Sequence, residues 1–270
     1  MSNDKKKFMT VGQIDATGVR GPHEKELEDI SKNKYAIFVD IDEELLKNIV
    51  EEDLGAKIEN IGFDEDWTIS IEMFPEVNIH MSFSYFGDEF GDDIEAEFKF
   101  YFSGERVYWV PGEDSATFID IVMDFMVGRI KNKSPFETAY DKKTDLMKKV
   151  LIQREVPFSL LKADDKDRLA SFLGARVWKT NEGWRIKKEI FPKIFVEIIW
   201  NNLNGLDIAF SGKKLENISS YHAELVGIFI INHILRYITV NNQDKELPDI
   251  CYIMFSRFYT KEKDWEHRTR

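Results

Sequence analysis

The sequence predicts an α+β protein made by tandem duplication of one unit, in which a helix, a four-stranded antiparallel sheet and a closing helix follow in order. Three observations predict it. The same letters recur in the same order in both halves, several short runs alternate apolar and polar residues with a period of two, and each half ends in a long apolar segment at helical spacing. Short strands flanked by helices, without the regular strand-helix alternation of parallel sheets, place the chain in the α+β class.

The opening helix of each unit ends in nearly identical letters, Leu54-Gly55-Ala56-Lys57 and Leu173-Gly174-Ala175-Arg176. A glycine there can take the left-handed conformation that stops a helix. Upstream, Asp42, Glu43 and Glu44 in one half and Asp164 and Asp165 in the other put acids at the positive end of that helix. Strands follow. Trp67, Ile69, Ile71, Met73 and Phe74-Pro75 match Trp184, Ile186, Lys188, Ile190 and Phe191-Pro192; then Val77, Ile79, Met81 and Phe83 match Ile194, Val196, Ile198 and Trp200. Phe98, Phe100, Phe102, Ser103 and Gly104 match Leu206, Ile208, Phe210, Ser211 and Gly212, after a longer loop in the first unit. The closing helices are read from Phe118, Ile121, Val122 and Phe125, and from Leu225, Ile228, Phe229, Asn232 and Leu235 continuing to Ile238.

These boundaries divide the chain into a loosely held N-terminal arm (1–33), a first repeat (34–133), a charged connecting helix (134–155), a second repeat (156–260) and a polar tail (261–270). Residues 250–258 fit either a helix or an edge strand. The 270 residues carry 49 acids against 37 basic residues, a formal charge of -12, and one cysteine, Cys251. One thiol excludes an internal disulfide and a cysteine-ligated cluster within one chain, and leads us to expect the cytoplasm. Lys5, Lys6 and Lys7 precede no apolar run, so no secretory signal is expected. The longest apolar run, Leu225 to Leu235, contains Asn232 and His233, so no membrane partner is expected either. The acidic balance speaks against nucleic acid, whose phosphates need concentrated cations.

Phe74-Pro75 entering a strand, the Gly87-Asp88-Glu89-Phe90 hairpin, the apolar strand ending at Phe102 and the acid-capped helix after it resemble a prokaryotic family catalogued as domain of unknown function 3786, found largely in anaerobic bacteria and archaea. The likeness is best over the first repeat. Some members of that family join the domain to a cysteine-rich iron–sulfur module like those of corrinoid-protein activators. The resemblance thus implies a setting of anaerobic cofactor metabolism rather than a reaction. This chain departs from that architecture, since its lone cysteine holds no cluster.

Strand parity identifies the candidate site. With Val77, Ile79, Met81 and Phe83 toward the helices, Asn78, His80, Ser82 and Ser84 face the other way, together with Thr68, Ser70 and Glu72 and with Glu95, Glu97, Lys99 and Tyr101. The ligand-binding candidates are therefore His80, Glu72, Glu95, Glu97, Lys99 and Tyr101; the plain alternative is the solvated face of an antiparallel sheet. In the second unit, Phe195 and Ile199 are apolar on the corresponding face, which predicts an interface. Lys188 stands where the first unit has Ile71, and is read as a stem-buried lysine with its amine in water, a bulge that resets the parity, or, less simply, a base of lowered pKa. Asp88, Glu89, Asp92 and Asp93 lack the ligand spacing of a calcium loop, so no metal site is assigned. No nucleophile elbow, Walker loop or dinucleotide turn occurs. These readings lead us to expect a cytoplasmic binding or accessory protein acting on a protein partner or a cofactor-like small molecule, with the cofactor itself unknown. The alternatives are a small enzyme using a His80–carboxylate pair and, last, an acidic nucleic-acid mimic.

Overall fold

The structure, a computed structural model, describes residues 7–15, 21–87, 95–136 and 140–256. It divides into two compact units, with the boundary between Lys133 and Ser134. Each is an α+β unit with one four-stranded antiparallel sheet, so the duplicated α+β fold read from the sequence is the fold observed.

In the first unit, a short helix α1 (Val11–Asp15) and a longer one, α2 (Pro22–Lys34), precede α3 (Glu43–Asn48), whose first turn is capped by the Asp42 carboxylate accepting from Leu45 N at 2.8 Å. A π-type turn at 49–53 leads to Gly55, at φ 64. The sheet consists of β1 (Lys57–Glu59), β2 (Trp67–Phe74), β3 (Val77–Tyr85) and β4 (Ala96–Ser103), in sequential order, and α4 (Gly112–Ile130) closes the unit. In the second unit, α5 (Asp145–Phe158) and α6 (Asp165–Leu173) precede β5 (Arg176–Lys179), β6 (Gly183–Phe191), β7 (Ile194–Asn201) and β8 (Gly205–Ser211). The closing helix α7 (Ser220–Val240) and a short α8 (Asp249–Tyr252) follow.

Two sequence expectations are corrected here. The supposed arm contains α2, whose Leu27 and Ile30 are buried and which packs on α4. The supposed connecting helix is α5, which packs on β8 and α7 inside the second unit. In each unit, therefore, a helix ahead of the repeat read from the sequence belongs to the fold, and its polar composition conceals that membership because it buries only a narrow stripe. The choice left open at 250–258 resolves to helix at Asp249–Tyr252.

The duplication extends to the hydrogen-bond register. Across the first sheet Lys57 faces Ser70, Ser70 faces His80, and His80 faces Tyr101. In the second sheet the matched residues Arg176, Lys187, Glu197 and Ala209 face one another in the same sequence. Both sheets carry a register irregularity at the same place, between Glu72 and Phe74 and between Glu189 and Phe191. Each turn that follows has a non-glycine residue at φ 67, Glu76 or Lys193. Gly104 and Gly212, at φ 115 and 138, pass so close to the carbonyls of Glu76 and Lys193 that a Cβ would lie 2.0 and 1.9 Å from them. Only glycine suits both demands.

The helix-facing sides form the cores. Ile69, Ile71, Met81, Phe83, Phe98 and Phe100 are buried beneath the first unit's helices, and Trp184, Ile186, Val196, Ile198, Leu206 and Ile208 beneath the second's. Helix α7 is long and apolar enough to cross a bilayer by composition, but 89% of that window is buried inside the protein. Its apolar surface is taken up by its own unit, and Glu224, Asn232, His233 and Arg236 lie among its buried residues.

Candidate functional site

Parity places the polar residues of the first sheet on its second face, as expected, but the middle of that face, around His80, is not solvated. His80 is 1% exposed, and Thr68, Ser82 and Ser103 are buried with it. Three aromatic rings roof it: Phe8 meets the His80 ring edge-on at 5.0 Å, Phe63 meets Phe8 at 5.6 Å, and Phe63 stacks on Tyr101 at 4.6 Å. Met9, next to Phe8, exchanges both main-chain hydrogen bonds with Phe102 at the outer edge of β4.

Beneath this roof the polar groups satisfy one another. His80 Nδ1 lies 2.6 Å from Ser70 Oγ, and Nε2 lies 2.8 Å from Ser103 Oγ. Glu59 Oε1 stands 3.9 Å from Nδ1, beyond hydrogen-bond length. Thr68 Oγ1 joins Ser82 Oγ at 2.8 Å and donates to the carboxylate of Glu65, which also accepts from the main-chain N–H groups of Ile61, Gly62 and Phe63. Burial raises the Glu65 pKa, but hydrogen bonds from the 61–65 backbone and from Thr68 outweigh it, and the net direction is down. A buried histidine held between two serine hydroxyls and a carboxylate saturated by donors amount to a closed polar core layer.

The six predicted site residues are therefore separated. Glu72 and Glu95 are exposed, near the bulged end of β2 and just before β4. Tyr101 lies opposite His80 on β4 and forms part of the roof. Glu97 and Lys99 pair at 2.6 Å; that bond is the main reason the Lys99 pKa is raised, with burial opposing it. Burial raises the Tyr101 pKa, so near neutrality Lys99 is charged and the Tyr101 phenol is protonated. The acidic run 88–93 lies outside the described residues.

What joins Glu97, Lys99 and Tyr101 is a groove of about 940 Å3 along the free edge of β4. Its other wall is α2, through Glu24, Leu27, Ser31 and Lys32, with Tyr35 just after it, and Thr10 and Val11 also line it. The size is that of a cleft for an elongated small molecule. The edge explains part of its chemistry. Met9 bonds to Phe102, and the Phe98 N–H donates to Ser31 Oγ at 2.8 Å. Alternate residues present their main-chain groups to the same side of a strand, so the Phe100 peptide groups lie between these two points, and among the described residues the Phe100 N–H has no hydrogen-bond partner. Sequence reasoning misses this groove because α2 reads as part of an arm.

In the second unit no ring among the described residues roofs the matching face as Phe8 does the first. Phe195 and Ile199 are half-buried and Trp178 is 42% exposed. Arg185 pairs with Glu197 at 3.1 Å, and the Lys187 amine lies 4.7 Å from the centre of the Phe195 ring. Lys188 donates to the carbonyl of Leu173 at 2.8 Å, satisfying the end of α6 beside Gly174 at φ 59. Cys251 is fully buried, with its thiol pushed up to about 11 by burial.

The class defined by these features is a duplicated α+β protein with one closed and one open sheet face. No protein-family model, curated protein or solved structure matches the chain.

Proposed function

We propose that this chain is a cytoplasmic accessory protein that binds an elongated small organic molecule in the groove between α2 and β4, and that it does not turn over a substrate. The groove itself carries this reading. It offers apolar surface from Leu27 and Phe100, the two phenols of Tyr35 and Tyr101, charged groups from Lys32 and Glu24, and a peptide edge at Phe100 whose N–H has no partner among the described residues. Such a set orients a ligand with a flat apolar body and a polar group able to hydrogen-bond to a main chain. Burial supports binding over turnover, since His80, the base of the enzyme alternative, is 1% exposed beneath the Phe8 ring.

Native mass spectrometry of protein isolated from its own source without oxygen tests the proposal. A discrete mass above that of the chain is expected, and it should disappear in the groove-filling variants Thr10→Trp and Lys32→Trp. Chain mass alone, or an added mass unchanged in both variants, overturns it.

A further inference from the structure

The duplication supplies a template for reading the open face of the second unit. In the first unit an extended dipeptide completes the sheet: Met9 bonds to the β4 edge at Phe102, and the Phe8 ring lies over His80 and Tyr101. The registers coincide residue for residue, so Phe210 holds the position of Phe102, Glu197 that of His80 and Ala209 that of Tyr101. Where Phe102 is fully buried, Phe210 is half-exposed and Ala209 and Ser211 are exposed. Tyr140 approaches the Phe210 ring at 6.2 Å, and among the described residues no hydrogen bond reaches the Phe210 main chain.

We infer that this face and edge of the second unit dock an extended segment of another protein, carrying an aromatic residue beside an apolar one and preceded by acids. The ring would lie above Ala209, between Phe195 and Ile199, where the first unit places Phe8. The apolar neighbour would pair with Phe210 as Met9 pairs with Phe102, a form of strand addition. Charge sets the requirement for acids. The carboxylates of this face are already engaged, Glu197 by Arg185, Asp207 by Lys143 and Glu189 by the Lys193 N–H. Lys193 and Lys213 are exposed at the end of β8, where an antiparallel segment paired at Phe210 places the residues before its ring, and form no ion pair among the described residues. The same charges disfavour a second copy's own segment, in which Lys5, Lys6 and Lys7 precede Phe8.

The probe is the capped hexapeptide EDFMTV, with KKFMTV as the basic control, titrated into the full isotope-labelled chain. Saturable amide shifts confined to β7, β8 and the adjoining Lys193 and Lys213 are expected. Ile199→Glu, an outward position whose change spares the core, should weaken binding at least about tenfold. Lys213→Glu should weaken EDFMTV more than KKFMTV. No shifts at millimolar peptide, shifts mapping to the Phe8 site of the first unit, equal binding of the two peptides, or a solution dimer abolished by Ile199→Glu would each overturn the inference, the last by making a second copy the occupant.

Discussion

The row Lys57, Ser70, His80, Tyr101 and the row Arg176, Lys187, Glu197, Ala209 occupy the same register on the same fold, yet rings roof the first at His80 and, among the described residues, none roofs the second in that way. In the first unit the residues on the covered face are small or exchange hydrogen bonds with each other: Thr68 with Ser82, Ser70 and Ser103 with His80. Such groups can leave water because each finds a partner. In the second unit Arg185, Lys187 and Ile199 replace Thr68, Ser70 and Ser82. Enclosing long cations carries a large desolvation penalty, so the face stays open and its apolar members remain available. A duplicated scaffold can thus carry a sealed layer in one copy and a contact surface in the other through side chains alone.

Truncating matched residues tests this contrast most severely. His80→Ala removes a buried ring and leaves the Ser70 and Ser103 hydroxyls without partners, so a loss of about 2–4 kcal/mol is expected in denaturant unfolding. The matched Glu197→Ala, which removes a surface ion pair, should cost less than about 1 kcal/mol. Equal costs would mean that the two faces are equally buried in solution.

Glu65→Gln should destabilise the first unit by about 1–3 kcal/mol, since the carboxylate gathers three main-chain N–H groups and one hydroxyl. The pH dependence follows from its lowered pKa. A depressed carboxylate contributes its stability in full above the ordinary glutamate value of 4.5 and loses it as pH falls through the lowered value. Acid titration followed by amide exchange should therefore loosen the 61–65 loop and the roof before the second sheet. The glutamine variant should abolish that difference.

A smaller effect is expected of Phe8→Ala, about 1 kcal/mol, because the ring is only partly buried. Its more discriminating readout is local: the Phe102 amide, bonded to Met9 O, should exchange faster while amides of the second sheet stay unchanged. Smallest of all, Cys251 in the native protein should resist alkylation at pH 8, where its buried thiol is protonated, and react only after unfolding. Rapid native labelling would show that the core of the second unit opens readily.

Much of this fold can be read from the order of residues. Repeated letters locate both sheets, alternation assigns the faces, and the glycines after Leu54 and Leu173 end the opening helices at φ 64 and 59. Parity alone puts Phe195 and Ile199 on the outward face. The helices α2 and α5 are not recognisable as members of the repeat, because their stripe of buried residues is narrow and their lysines and acids dominate the composition. The candidate site suffers most from this. Parity identifies Glu97, Lys99 and Tyr101, but the residues that line the groove opposite them, Ser31 and Lys32 on α2 and Tyr35 just after it, escape it.

What depends on neighbours along the chain is set by the sequence: the duplicated α+β plan, the strand register, the hairpins and the caps. Local spacing and backbone preference act over a few residues, and a repeated motif repeats them faithfully. Folding in three dimensions was needed to establish that Phe8 covers His80, that Ser31 meets the edge of β4 at Phe98, and that nothing among the described residues covers Phe195 and Ile199 in the same way. Those outcomes depend on which distant groups can satisfy one another out of water. No periodicity encodes that condition; it is met, or fails, only when the chain has brought the groups together.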